Sequence, residues 1–364
     1  MKLAEEGKSA RGVHTRHCKD IAQEGCSVFQ ISQGHFWTDS HLNVIVRSSE
    51  DQIVPQACLA GNPLKAQDFN AGKELFLPIR KDAFGSVVRS RTSVHFSGSV
   101  ACLASFGSSK HNFGHWFTDT LPKLFLLWDQ WPRHAFDRYY FPSLQKPWQE
   151  QTAEMLGIKK EQIIDGTDID SFSCDELFCT SFPRPKWNLP EWIPQAVRSL
   201  FKPFRDSSLF GDKIYVSRKD TTTRRPTNEK EVSDVLRKQG FRELVMSDLS
   251  LTNQIAAFFE AEKIVSLHSS SLALTMFSRP GCELVEIFGP GQISNLHYDI
   301  ARANRLRYMF IKENGSSDVH DQQDEDPNLT YFPVDTGILV KRLSGSESPA
   351  SNSSQSKANR LLCL

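Results

Sequence analysis

The hydrophobic pattern of this chain changes period along its length. From Cys26 to about Ala104, apolar residues come in short alternating runs of strand type, as at 42–47, 74–79 and 93–97, punctuated by Gly, Pro and Asn. From His115 the apolar positions take up helical spacing through Trp128. Strands are then predicted at 139–141, 162–164 and 175–179, with a helix over 147–156. A proline- and tryptophan-rich stretch, 183–194, leads into an interdomain helix over 194–204; proline-rich connections are stiff. Beyond it the pattern becomes regular. Strands at 213–217, 242–245, 263–267, 282–288 and 307–311 alternate with helices at 228–239, 250–261, 272–277 and 296–304. In the first of these helices Val232, Val235 and Leu236 share one face, and Ser250 caps the second. A last strand and a short helix fit 331–343.

Alternation at this spacing implies an α/β chain with a parallel, doubly wound sheet and right-handed crossovers. Such sheets bind ligands beyond the carboxyl ends of their strands. The expected division is a loose polar segment over 1–25, an N-terminal Rossmann-like domain over 26–194, and a second Rossmann-like domain over 195–312. An acidic loop and final element over 313–343 and a Ser/Asn-rich disordered tail over 344–364 complete it.

Composition narrows the function classes. Lys plus Arg and Asp plus Glu both number 43, so the net charge is zero, which argues against a general nucleic-acid binder. No run approaches the ~20 apolar residues of a spanning helix, and the N-terminus lacks the apolar centre of a signal peptide. The expected compartment is the cytoplasm, including the inner face of its membrane. Eight cysteines form no C-x-x-C pair and read as free thiols.

Candidate chemistry sits in two places. His115 and Asp119 lie four residues apart, on one face of a helix, among Phe113, Trp116 and Phe117. Aromatic walls that exclude water would raise the basicity of Asp119 and make it a general base, with His115 orienting it. The same spacing fits a buried histidine satisfied by an aspartate in a core helix. The second place is the edge formed by the later strands. Strand 263–267 runs into His268, Ser269, Ser270 and Ser271 and then a helix, an arrangement that aims N–H groups at an anion or merely caps the helix. Arg218 and Arg225 follow strand 213–217 and suit phosphate oxygens. Glu286 lies near the end of strand 282–288, where an acid accepts ribose hydroxyls. No Walker loop and no G-x-G-x-x-G turn occurs, which disfavours ATP-dependent kinases and NAD-dependent dehydrogenases. Two ligands make no metal site, so none is expected at His115 and Asp119.

The run from Asn112 to Leu124, Asn-Phe-Gly-His-Trp-Phe-Thr-Asp-Thr-Leu-Pro-Lys-Leu, resembles the N-terminal signature of glycosyltransferase family 61, N-x-x-H-W-x-x-D-x-L-P-R-L. Tyr215-Val-Ser-Arg218 with Arg225 and Asn228-Glu229 is similar to its second block. Ile264 through Phe277, Pro280-Gly281 and Val285-Glu286 resemble its third. The resemblance implies a GT-B architecture, two Rossmann-like domains facing a central cleft. It also implies inverting transfer from a nucleotide sugar, usually a UDP-sugar, with no cofactor and no essential metal. The acceptor would be a glycan or lipid-linked saccharide hydroxyl, as in the surface polysaccharide biosynthesis of bacterial members. Asp119 and His115 would be catalytic, Asn112 and Trp116 would lie on the acceptor side, and Arg218, Arg225, His268, Ser269, Ser270, Ser271 and Glu286 would bind the donor. The family's third block usually reads H-G-A-G-L-T-N; here Ser269 and Ser271 replace both glycines. Those replacements are the support for the alternative, a non-catalytic nucleotide-sugar or glycan-binding protein.

Overall fold

The computed structural model describes residues 12–17, 26–38, 44–50, 53–58, 94–105, 111–184, 189–201, 209–290, 293–313 and 331–344. The strand expected at 74–79, the acidic loop beyond 313 and the tail beyond 344 lie outside them. The chain divides into two compact units, residues 1–201 and 202–364.

The first unit is built on a seven-stranded mixed sheet. Its strands are β1 (Val13–His17), β2 (Ser27–Thr38), β3 (Val44–Arg47), β4 (Val94–Cys102), β5 (Arg138–Phe141), β6 (Ile163–Asp165) and β7 (Ser171–Thr180). The order is β1-β2-β7-β4-β5-β6, with β3 also on β2. Strands β7, β4, β5 and β6 run parallel, whereas β1, β2 and β3 join antiparallel. A purely Rossmann-like first domain is therefore corrected to a mixed sheet. The long β2 carries the change, because it pairs with β7 over most of its length and blocks further parallel growth. Val13–His17, inside the segment expected to be loose, is held as a strand by pairing with β2. The core of this unit gathers Phe29, Ile31, Phe36, Tyr140, Phe172 and Leu177 from its strands.

Helix α1 (Leu121–Gln130) follows a π-helical turn, Trp116–Thr120, which itself follows a helical turn, Phe113–His115. The expected continuous helix is thus widened in its middle. Pro122 explains it: proline has no N–H to give, and its ring clashes with the carbonyl four residues back, that of Thr118. The N–H of Leu121 bonds instead to the carbonyl of Trp116, five residues back. Helix α2 (Pro147–Met155) and helix α3 (Trp192–Leu200) complete the unit. Helix α3 buries Ile193, Pro194, Ala196, Val197 and Leu200 within it, which moves the division past the expected 194.

The second unit is a parallel five-stranded sheet of β8 (Lys213–Val216), β9 (Arg242–Leu244), β10 (Lys263–Leu267), β11 (Glu283–Phe288) and β12 (Arg307–Lys312). The crossovers contain α4 (Glu229–Lys238), α5 (Leu251–Glu260), a 3-10 helix (Ser270–Phe277) and α6 (Leu296–Ala303). The spatial order β12-β11-β10-β8-β9 is the 2-1-3-4-5 order of a doubly wound sheet, with its switch point between β8 and β10. Buried Ile214, Tyr215, Ile264, Val265, Leu284 and Val285 make these strands apolar on both faces, as covered parallel strands must be. Helix α7 (Thr336–Leu343) packs beside α4, pinned where Asn228 accepts from the N–H of Val334 at 2.9 Å.

Candidate functional site

In the first unit, His115 and Asp119 lie beyond the carboxyl end of β4, and Arg184 lies beyond the carboxyl end of the neighbouring parallel β7. His115 Nδ1 is 2.6 Å from Asp119 Oδ2. Arg184 donates from Nε to Asp119 Oδ1 at 2.6 Å and from Nη2 to Oδ2 at 2.8 Å, a bidentate fork. The Thr118 hydroxyl adds a donor to Oδ2 at 3.1 Å. Asp119 and Arg184 are both buried. Burial acts to raise the Asp119 carboxyl, but the Arg184 charge and the His115 bond outweigh it and hold it well below the usual carboxylate range. The expected rise in Asp119 basicity is therefore reversed. With Asp119 ionised, His115 donates Nδ1–H to it, and the Nε2 lone pair becomes the basic position of the pair.

Asn112 caps this segment by accepting from the His115 N–H at 3.3 Å. Trp116 is fully buried, stacked on Phe141 at 5.5 Å, so it forms the wall behind the pair rather than an acceptor surface. Arg184 was not anticipated from sequence; its one signal is a cation between Pro183 and Pro185 directly after a strand. Lys123 is also buried, donating to the Ala104 carbonyl and lying 3.7 Å over the Phe182 ring. Burial pulls its ammonium down to about 8.

In the second unit, the turn after β8 is organised by Glu229. Its Oε1 accepts from Tyr215 Oη at 3.0 Å, Ser217 Oγ at 2.7 Å and the Arg218 N–H at 3.1 Å. Arg218 is buried and tied to the Thr223 carbonyl at 2.7 Å. Burial and the neighbouring Arg224 charge pull Arg218 down to about 10. Arg224 holds the left-handed backbone region, φ 49°, and its charge also acts on His268. Arg225, expected as the second phosphate ligand, is exposed. The like charge that acts on Arg218 at this edge is that of Arg224.

Ser269 stands in extended backbone, φ −153° and ψ 153°, so the position needs no glycine. Its hydroxyl is buried and unpartnered and does not cap the following turn. Ser270 and Ser271 are half-buried at the start of the 3-10 helix. Met276 packs in the core.

Glu286 is fully buried. Its Oε1 lies 2.6 Å from His268 Nδ1 and 2.6 Å from His297 Nδ1, and Tyr308 Oη donates to Oε2 at 2.6 Å. A carboxylate so enclosed does not present itself to a ribose, and the direct role expected for Glu286 is corrected accordingly. Burial acts to raise it, and the two imidazoles hold it well below the usual range. His297 was also missed from sequence. Its signal is a polar residue at the apolar spacing of α6, with Ile300, Ala301 and Asn304.

Among the described residues, His268, Glu286 and His297 are the group whose ligand atoms lie within 4.8 Å of one another, as a metal ion requires. Two imidazoles and a carboxylate suit a zinc-class ion. However, a metal-bound imidazole needs a partner for its other nitrogen, and His297 Nε2 is buried without one. Cys58, Cys102, Cys174, Cys179 and Cys282 are free thiols, and they are buried, as is Cys26. No helix among the described residues is long and apolar enough to cross a membrane.

The family model described as glycosyltransferase 61 matches residues 113–285. That segment contains His115, Asp119, Arg184, Arg218, Arg224 and His268, and it ends one residue before Glu286. No curated protein matches the chain.

Proposed function

The chain belongs to glycosyltransferase family 61, and from that premise we propose that it transfers a sugar, with inversion, from a UDP-sugar to a hydroxyl of a glycan or lipid-linked saccharide, in surface polysaccharide biosynthesis. The observation that carries the reading is the His115–Asp119–Arg184 set. Arg184 keeps Asp119 ionised, and Asp119 fixes the His115 tautomer. In this scheme His115 Nε2 takes the proton of the acceptor hydroxyl as its oxygen attacks the anomeric carbon. The bond from that carbon to the phosphate oxygen breaks, and the nucleoside diphosphate leaves with the electron pair. Asp119 stabilises the imidazolium that results, in the manner of a dyad.

Arg218 and Arg224 would receive the diphosphate at the switch point of the parallel sheet, where such ligands bind. In this scheme their two charges would take the part that a metal ion plays in other enzymes, and the reaction would need none. A two-domain GT-B arrangement, with the acceptor on the first unit and the donor on the second, is part of the proposal.

The test is UDP release from a panel of UDP-sugars with candidate saccharide acceptors, with and without EDTA. Wild type should turn over in both conditions, and His115→Gln should fall by roughly 10²- to 10⁴-fold, the worth of a positioned base. Nucleotide binding without turnover on any sugar would instead support the non-catalytic alternative. Loss of turnover in EDTA would remove the metal-free scheme.

A further inference from the structure

The trio at the end of β10 and β11 has a direction. His297 is 1 % exposed and Glu286 0 %, whereas the His268 side chain is 18 % exposed, so His268 is the member that meets the surface. Its ring stacks on Phe288 at 5.0 Å and 26°, which fixes its plane. Glu286 takes three donors, His268, His297 and Tyr308, and is thereby clamped. With Nδ1–H given to Glu286, the other nitrogen of His268 carries a lone pair. Burial pulls the His268 imidazole below its ordinary range, opposed by Glu286 and assisted by His297 and Arg224, so the ring stays neutral. A neutral Nε2 lone pair repels a phosphate oxygen and accepts from a hydroxyl.

We propose that His268 Nε2 accepts a hydrogen bond from a ribose hydroxyl of the nucleotide, and that His297 is a positioning residue that clamps Glu286 for it. This rests on the nucleotide-sugar reading above. The strand-end acid then serves the ribose through an imidazole rather than by its own oxygens, and a second histidine on α6 sets the tautomer. The proposal gives His268 the ribose and leaves the diphosphate to Arg218 and Arg224.

The experiment uses the full chain and measures binding of UDP, GDP and CDP against their 2′-deoxy and 3′-deoxy forms. In the wild type, removal of the hydroxyl that meets His268 should weaken binding about tenfold, the scale of one hydrogen bond in a partly buried site. In His268→Phe, which keeps the stacking area, the ribose and deoxy forms should bind alike. The proposal is overturned if His268→Phe weakens both forms by the same factor, or if neither deletion matters in the wild type. Failure of all three diphosphates to bind would instead sink the nucleotide-sugar reading.

Imidazole ¹⁵N spectra test the positioning role independently of any ligand. His268 should show an unprotonated Nε2 in the wild type and in His297→Gln, whose amide can still donate to Glu286. His297→Leu should give a mixed tautomer and lose part of the discrimination against the deoxy form. An unchanged tautomer with unchanged discrimination in His297→Leu refutes the role of His297. Should that variant fail to fold, His297→Gln and the wild type still decide, since a protonated Nε2 in both refutes the arrangement.

Discussion

Asp119 and Arg184 give the sharpest test of the first unit, because stability and catalysis predict different patterns. Both side chains are buried and joined by two short hydrogen bonds, 2.6 and 2.8 Å. Removing one partner leaves the other charge buried without its ion-pair mate, at a cost of about 3–5 kcal/mol. Asp119→Asn and Arg184→Met should each lose that much in urea unfolding. The double variant removes both charges, and replacement of a buried pair by neutral groups is often close to neutral. It should recover most of the loss, with a coupling energy of at least ~2 kcal/mol. Turnover should not recover. His115 loses its charged partner in Asp119→Asn and in the double variant alike, so UDP release should fall by roughly 10²- to 10⁴-fold in both. Two results would refute the reasoning: losses in the single variants that simply add, or turnover that returns with stability in the double variant. The first removes the buried pair, and the second removes the Asp119–His115 dyad.

Lys123, held down to about 8 by burial, binds its proton less tightly when folded than its ordinary 10.5. The unfolded chain holds more protons between those values, so the Lys123 contribution to stability should rise with pH across that window by about 3 kcal/mol. The thiols of Cys58, Cys102, Cys174, Cys179 and Cys282, pushed up by burial, act in the opposite direction, so the rise is read as the stability difference between wild type and Lys123→Met, in urea unfolding at pH 7 and pH 10. Arg224→Ala should weaken nucleoside diphosphate binding by tenfold or more, whereas Arg225→Ala should change it less than twofold, measured by calorimetry. Ser269→Gly should shift the melting temperature by no more than a few degrees, because extended backbone at 269 makes no use of glycine's freedom.

The alternation of strands and helices in the second half was legible in the sequence because covered parallel strands are apolar on both faces and their helices on one. The π-helical turn at 116–120 was not, since a proline at 122 says that a bond must move without saying to which carbonyl. The mixed sheet of the first unit escaped because β2 and β7 pair across some 140 residues of chain, and no local period encodes that register.

The sequence by itself determined the α/β class, the strand-end positions of Arg218, His268 and Glu286, and the closeness of His115 to Asp119, because each follows from spacing along one element or one crossover. Tertiary structure alone decided what those residues are chemically. Arg184 arrives from 65 positions away and makes Asp119 a poor base. His297 and Tyr308 close over Glu286 from a helix and a strand that follow it. A carboxylate's basicity is set by the charges and donors around it, and in both units those neighbours come from elsewhere in the chain.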